Sequence, residues 1–191
     1  MSRTRLEAFS DGVIAILITI MVLQLTPPHG HDLAALRPLV PVFLGYVLSF
    51  LYLGIYWTNH HHLFQVVEQV DGRVLWANIH LLFWLSLVPF LTAWVGDNGL
   101  AALPVALYGL VLLASAIAYY FLTRALLALH RPNSALAKAL QGDFKEKVSI
   151  ALYVVGIVLA FVNAWLGCAA YVLVALIWLI PDRRVEKVLG Q

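Results

Sequence analysis

The first apolar segment of the chain carries a carboxylate where a membrane helix is ordinarily apolar. Asp11 lies six residues past Arg5, which is about 9 Å further along a helix. Exposing a carboxylate to lipid costs about 2.5 to 3.5 kcal/mol at mid-bilayer and less near the rim. We therefore expect Asp11 to face protein or water. A purely structural role stays open, because Glu7, Ser10 and Asp11 lie near the positive end of a helix, which suits negative charge.

Histidine, tryptophan and asparagine residues form a second polar group further along the chain. The run 56–62 ends in three consecutive histidines, and the run 76–80 contains Asn78 and His80. Successive residues of a helix point about 100° apart, so three adjacent histidines do not converge on one ion. His61 or His62 together with His80 could form a metal site, but interfacial hydrogen bonding is the favoured role. We expect no resident metal or other cofactor.

The composition indicates that lipid rather than water surrounds most of the chain. Of its 191 residues, 62% are hydrophobic and 12% are charged, whereas about 25% is the usual charged share of a soluble domain. The longest polar stretch, about 128–147, is too short to fold alone. A globular catalytic or nucleic-acid-binding module is thereby excluded, and residues 1–191 are predicted to form a single membrane domain.

The apolar runs predict an all-α, polytopic fold with six transmembrane helices. A crossing helix needs about 20 mostly apolar residues. The last apolar stretch, 148–180, would be about 50 Å long as one helix, against a hydrocarbon core of about 30 Å, so we divide it at 163–167. A five-span chain is the alternative. The predicted spans are about 9–26, 39–58, 75–95, 100–127, 145–163 and 165–180.

The basic residues predict the orientation of these spans. With six spans and a cytoplasmic N-terminus, Arg37 alone faces outward, and the positive-inside rule is obeyed. Both termini are then cytoplasmic. No secretory cleavage site follows the Arg-rich start, so we expect a multi-pass protein of a plasma membrane, the bacterial inner membrane. The residues on the inner side would be Arg3, Arg5, Arg73, Arg124, Arg131, Lys138, Lys145, Lys147, Arg183, Arg184 and Lys187.

The first helix resembles the signature of the transmembrane protein 175 family. The shared run is Arg-x-x-x-Phe-Ser-Asp-Gly-x-x-Ala-Ile-x-x-Thr, and six spans in about 200 residues match a bacterial member. The resemblance implies a potassium-permeable channel. Animal members carry two six-helix units, so a chain with one unit is implied to form a homotetramer. The residues that carry the resemblance are Arg5, Phe9, Ser10, Asp11, Ala15, Ile16 and Thr19.

One face of the first helix is the implied pore lining. Gly12, Ile16, Thr19 and Leu23 are spaced by four, three and four residues, so they share a helix face. The resemblance implies that this face lines the pore, with Ile16 at the narrowest ring, Thr19 offering hydroxyls and Leu23 forming a second apolar ring. From the spacing alone, contact with lipid or core would be favoured for each residue.

A different side of the same helix is implied to face the protein. Ser10 and Asp11 lie about 200° and 100° from Gly12 on a helical wheel. The resemblance implies a polar network behind the pore helix, although the sequence does not decide which histidine joins it. The implied members are Arg5, Phe9, Ser10, Asp11, Trp57, His60, His61, Asn78 and His80.

These patterns predict a passive cation channel rather than an enzyme. Its partners would be further copies of the chain, membrane lipid, and potassium with other monovalent cations, but not nucleic acid. The alternative is a proton-coupled secondary transporter that uses Asp11 and the inner-side histidines. Transporters usually show repeats or broken helices around a midplane site, whereas the sequence shows no convincing repeat and no charge at the midplane of any predicted span.

Overall fold

The computed structural model describes residues 2–131, 134, 136–137 and 144–179. Within these residues the chain forms helices and no strand. A short 3-10 helix, Leu33–Leu39, precedes the second long helix. The α-helices are α1 Arg3–Val22, α2 Val40–Gln65, α3 Gly72–Ser86, α4 Val88–Asp97, α5 Ala102–Leu129, α6 Phe144–Val162 and α7 Ala164–Leu179.

Helix α1 begins earlier and ends earlier than the predicted span 9–26. Ser2 caps its start, since the Ser2 hydroxyl accepts a hydrogen bond from the Arg5 amide at 3.4 Å. The charged first turns are thus helical. At the other end, the amides of residues 23–25 bond to carbonyls three residues back, which tightens the chain before Pro27.

Helix α2 continues to Gln65, past the predicted end at Thr58. The three consecutive histidines therefore belong to the helix rather than to a loop after it. Because α2 runs antiparallel to α1, its last two turns reach the first turns of α1. The polar residues of both helices consequently meet at one end of the bundle.

The predicted third span, 75–95, corresponds to two consecutive helices in the structure. The structure breaks it at Leu87, between α3 and α4. Pro89 lies in the first turn of α4 and has no amide hydrogen to continue the bonding of α3. The combined segment Gly72–Asp97 is nevertheless long and apolar enough to cross a membrane.

The described residues include three helical segments of membrane-spanning length and composition, Leu33–Gln65, Gly72–Asp97 and Ala102–Leu129. Helix α7 is apolar but shorter. The last apolar stretch is divided at Asn163, whose side chain accepts a hydrogen bond from the Trp165 amide at 2.9 Å. The predicted span 165–180 ends beyond α7 at residue 180, which lies outside the described residues.

Helices α5, α6 and α7 pack closely around one aromatic side chain. Tyr171 of α7 is fully buried against Gly109 of α5 and Gly156 of α6, where an added Cβ would collide with its ring or hydroxyl. The Tyr171 hydroxyl donates to the Val105 carbonyl at 3.3 Å, and the Tyr171 carbonyl accepts from Tyr52 at 2.6 Å. Glycine is required at these two positions because the tyrosine occupies the space of a side chain.

Candidate ion pathway and its supporting network

Helix α1 turns a narrow stripe of side chains toward its own subunit. The stripe repeats at four- and three-residue intervals and packs on α2, α3 and α4. The rest of the helix surface is exposed or half-exposed in the single chain. The residues of this buried stripe are Leu6, Ser10, Ile14, Leu17 and Met21.

The face of α1 that was predicted to line a pore lies on the exposed side. Gly12 and Thr19 are exposed, Ile16 is 58% exposed and Leu23 is 79% exposed. At about 100° per residue, the centre of this face lies about 150° from the centre of the buried stripe. A Cβ at Gly12 would meet nothing within 4 Å. The four residues are therefore open to groups outside the subunit.

The Thr19 hydroxyl is engaged within its own helix. It donates to the Ile16 carbonyl at 2.9 Å, a bond that threonine commonly makes to the preceding turn. The oxygen retains lone pairs that face outward from this exposed position. Thr19 can thus offer an acceptor to a cation without releasing its own donor.

A buried chain of hydrogen bonds joins α1 to α3 and α2. The Asn78 side-chain amide donates to the Ser10 hydroxyl at 2.9 Å, and that hydroxyl donates to the Leu6 carbonyl at 2.9 Å. The Asn78 oxygen lies 2.8 Å from His60 Nε2. With the amide in this orientation, His60 Nε2 carries the proton. Ser10, Asn78 and His60 are each fully buried, so these hydrogen bonds are shielded from solvent.

His60 has one further feature of chemical interest. Its ring stacks on Phe64 with the centroids 4.4 Å apart. Its Nδ1 atom is buried and has no hydrogen-bond partner among the described residues. A buried ring nitrogen without a partner is tolerated more easily than an unpaired charge, so this environment suits the neutral imidazole.

A second set of contacts, more exposed to solvent, lies beside the buried hydrogen bonds. Trp57 Nε1 donates to Asp11 Oδ1 at 3.0 Å, and the Trp57 ring stacks on His61. His61 Nδ1 lies 3.1 Å from Glu7 Oε1, and its Nε2 lies 2.8 Å from the Gln65 amide nitrogen. Asp11 and Glu7 therefore both face α2, one helical turn apart.

Several of these partners were not predicted. Glu7, Gln65 and Arg3 join α1 to the end of α2, with Arg3 donating to the Gln65 and Val67 carbonyls at 3.4 and 3.0 Å. The spacing of Glu7 four residues before Asp11 was the available signal, because such pairs share a helix face. From this spacing, Glu7 and Asp11 could have been predicted to contact the same neighbouring helix.

Three residues of the predicted network lie away from it. His80 accepts a hydrogen bond from Trp84 at 2.9 Å and faces Phe121 on the outside of α3. Phe9 is half-exposed, and the exposed Arg5 makes no side-chain hydrogen bond or ion pair to the described residues. The structure thus brings together Ser10, Asp11, Trp57, His60, His61 and Asn78 from the predicted set.

The histidines do not gather around a metal position. In the described ranges, no group of three or more His, Cys, Asp or Glu side chains is arranged to hold an ion. His61 and His62 have ring centroids 6.0 Å apart, and His80 is engaged with Trp84 on another helix. What the arrangement does chemically is to fasten one side of α1 and leave the opposite side open.

Comparison with known proteins places this arrangement in a family context. Residues 5–89 match the family described as "Endosomal/lysosomal potassium channel TMEM175". A potassium channel of Chryseobacterium sp. is 54% identical over 191 residues, with both chains fully covered. A potassium channel of Streptomyces collinus is 35% identical over 189 residues, covering 90% of this chain and 89% of that one.

A solved structure is similar over almost the whole chain. The crystal structure of a lysosomal potassium-selective channel TMEM175 homolog from Chamaesiphon minutus superposes with a TM-score of 0.80 at 28% identity. The match covers 93% of this chain and 96% of that chain. The two structures are therefore similar over nearly all of this chain and not only in its first helices.

Proposed function

Because this chain belongs to the TMEM175 family of ion channels, which are not enzymes, we propose that it is a potassium-permeable cation channel subunit. It conducts passively, as a homotetramer in which α1 lines the central pore. Two bacterial relatives are named potassium channels, which supports potassium as the conducted ion. Membership of the family supports a multi-pass membrane protein. Further copies of the chain and membrane lipid are its partners.

The observation that carries the proposal is the two-sidedness of α1. Its buried stripe meets the subunit, while Gly12, Ile16, Thr19 and Leu23 are exposed about 150° away. A fourfold arrangement would turn these residues inward as rings. Ile16 and Leu23 then form apolar constrictions, and Thr19 lies between them with its oxygen toward the ion. Apolar constrictions of this kind control conduction by excluding water.

The polar contacts behind α1 give this pore a fixed wall. Ser10, Asn78 and His60 hold one turn of α1 against α3 and α2, and Asp11 is held by Trp57. The radius of a pore lined by α1 changes when α1 shifts by even a fraction of the length of a side chain. We therefore assign the network a positioning role rather than a conducting one.

The proposed topology has six spans with both termini in the cytoplasm of a bacterial cell. The start of α1, the end of α2, the end of α5 and the start of α6 lie at the same end of the bundle. Arg3 of α1, Arg124 of α5 and Lys145 of α6 are carried by these ends. The positive-inside rule assigns that end to the cytoplasm of the plasma membrane. Lys138, Arg183, Arg184 and Lys187 add to the same side in this topology and lie outside the described residues.

Flux measurements on the purified protein in liposomes test the proposal. A channel passes potassium down the membrane potential without any second gradient. A fixed stoichiometric dependence on a proton gradient would instead support a proton-coupled transporter and overturn the channel.

The Ile16→Asn variant tests the pore-lining residue. An amide at the narrowest ring wets the constriction, so we expect potassium conductance to rise by about tenfold or more and selectivity to weaken. Ile14→Val, on the buried stripe of the same helix, is the matched control and should conduct as the wild type does. Unchanged conductance in Ile16→Asn would remove Ile16 from the constriction.

A further inference from the structure

The connection between α2 and α3 is held from two sides through a single peptide group. Arg3 of α1 donates to the Val67 carbonyl at 3.0 Å, and the Glu68 amide donates to His130 Nε2 at 3.0 Å. The Val67 carbonyl and the Glu68 amide belong to the same peptide bond, which is planar and rigid. One rigid group therefore links the start of α1 to the residue that follows α5.

Both ring nitrogens of His130 are bonded to backbone groups whose roles are fixed. His130 Nδ1 lies 2.7 Å from the Leu126 carbonyl, which can only accept a hydrogen bond, so Nδ1 carries a proton. Nε2 faces the Glu68 amide, which can only donate, so Nε2 carries none. Only the neutral ring with its proton on Nδ1 makes both bonds.

His61, at the same end of the bundle, responds to a second proton in the opposite way. Its Nδ1 lies 3.1 Å from the Glu7 carboxylate, and a charged ring strengthens that pair. Its Nε2 faces the side-chain amide of Gln65, which can turn over and offer its oxygen instead. A second proton on His130 would point an N–H group at the N–H group of Glu68, and a backbone amide cannot exchange its role.

His130 is placed where protons from solution reach it. It lies beyond the predicted span 100–127, its ring is half-buried, and its bond to the Glu68 amide is exposed. In the described part of the chain, no carboxylate forms an ion pair with His130 that would replace the lost bond. The charged groups around this junction include Arg3 of α1, Glu68 and Asp71 between α2 and α3, Arg131 after α5 and Glu146 of α6, while Lys138 and Asp143 lie outside the described residues.

We propose that His130 is a positioning residue for α1 that acts only in its neutral form, an inference that rests on the proposed channel function. The neutral ring holds the Glu68 amide, so the Val67 carbonyl stays directed at Arg3. A hydrogen bond at one end of a peptide group also polarises the group and strengthens the bond at its other end. The remaining bond of Arg3, to the Gln65 carbonyl, is longer at 3.4 Å.

Protonation of His130 releases this attachment. When a proton from the cytoplasm adds to Nε2, the ring leaves the Glu68 amide, the peptide group can turn, and Arg3 loses its acceptor. The start of α1 is then held less firmly, so conduction falls as the cytoplasm becomes acidic. The stabilisation is present at neutral pH and is lost as the pH falls through the range in which histidine becomes charged, about pH 8 to 5.

Thermal unfolding of the full chain tests the bond without relying on conduction. His130→Gln supplies an amide oxygen that can accept from the Glu68 amide and cannot become charged. His62→Gln, which removes a half-buried ring from the same end of α2, is the matched control. Between about pH 7.5 and about pH 5.5, the wild type and His62→Gln should lose about 2 to 4 °C more in Tm than His130→Gln does. An equal loss in all three proteins would overturn the role of His130.

Potassium flux in liposomes, at equal pH on both sides, tests the transmission to α1. Acidification should reduce the flux of the wild type and of His62→Gln several-fold and leave that of His130→Gln nearly unchanged. A fall in His130→Gln as large as that of the wild type would contradict the proposal. Absence of flux at every pH would count against the channel itself, and the Tm comparison would then decide on His130.

Arg3→Met provides a second variant that leaves His130 in place. It removes the donor that α1 contributes to the Val67 carbonyl. Its flux should be reduced at neutral pH and should show no further fall on acidification, whereas its Tm should keep the pH dependence of the wild type. A wild-type pH response of the flux in Arg3→Met would exclude transmission through this peptide group, even if His130→Gln failed to fold.

Discussion

Helix α1 and the α5–α7 bundle are held in the subunit by different forces. The bundle is locked by shape, because Gly109 and Gly156 leave a slot that Tyr171 fills completely. Helix α1 is fastened along one stripe, where Ser10 and Asn78 form a buried hydrogen bond. The packing around Tyr171 is therefore made within one chain, whereas α1 has an exposed face that other copies are proposed to cover.

This difference indicates that the α5–α7 bundle stabilises the subunit and that α1 presents the proposed ion-facing surface. Closely packed side chains leave little room for movement, so this packing suits a rigid scaffold. A helix attached through a few directional bonds keeps a defined orientation while its opposite face stays free for ions. Substitutions in the two regions should accordingly separate loss of subunit stability from loss of assembly or conduction.

The largest effect is expected for Gly109→Ala. The new Cβ overlaps the Tyr171 side chain, so the ring must move and lose its bond to Val105. We expect a loss of about 3 kcal/mol in the free energy of unfolding. Thermal unfolding in detergent measures it.

Gly54→Ala is the matched control for that substitution. No atom lies within 4 Å of a Cβ at Gly54, and alanine favours a helix more than glycine does, so stability should be equal or higher. Similar unfolding temperatures for the two variants would contradict the locked packing of Tyr171.

A smaller loss of stability, with a larger loss of assembly, is expected for Asn78→Leu. The change leaves His60 Nε2 buried without its partner and removes the bond from Asn78 to the Ser10 hydroxyl, which keeps its own bond to the Leu6 carbonyl. The unpaired nitrogen and the lost bond together cost about 2 kcal/mol. Because α1 loses its attachment to α3, the proposed tetramer should dissociate, as measured by native mass spectrometry. Asn98→Leu removes an exposed asparagine and should leave assembly intact; equal assembly of both variants would remove the network from its positioning role.

Asp11→Ala should have a milder effect in the same direction. It removes the acceptor of the Trp57 indole, a half-exposed contact that contributes about 1 kcal/mol. We expect a lower fraction of tetramer rather than altered permeation through assembled channels. Asp11→Asn keeps an oxygen that can accept from Trp57, so it should assemble better than Asp11→Ala. Identical behaviour of the two would show that charge, not the hydrogen bond, is what matters.

The smallest effect on stability is expected for Thr19→Val. Thr19 bonds only to the carbonyl of Ile16 in its own helix, so the free energy of unfolding should change by less than about 0.5 kcal/mol. The permeability ratio of potassium to sodium should nevertheless shift several-fold, because the proposed pore loses a ring of oxygens. Thr58→Val removes the same type of local bond, to Gly54, in α2 and should leave permeation unchanged. A wild-type ratio in Thr19→Val would place Thr19 outside the pore.

The helical segments were largely predictable, but their joints were not. Long apolar runs place helices wherever lipid or core replaces water, so every predicted span overlaps a helix. The break at Leu87 depends on Pro89, whose effect on a membrane helix varies with how neighbouring helices satisfy the freed carbonyls. The extension of α2 through His60 depends on its packing against α1.

The histidines show a similar limit at the candidate site. Their sequence indicated partners for Ser10 and Asp11, but three adjacent residues point in three directions. Only the packed structure selects His60 for Asn78 and His61 for Glu7. It also directs His80 to Trp84 instead.

By itself, the sequence determined the solvent, the helical class and the one-sided spacing of Gly12, Ile16, Thr19 and Leu23, because composition and helical periodicity are local properties. The tertiary structure alone decided which side of α1 is buried, which polar side chains meet, and that Tyr171 enters a glycine slot. These outcomes depend on distances between segments far apart in the chain, and no local pattern encodes such distances.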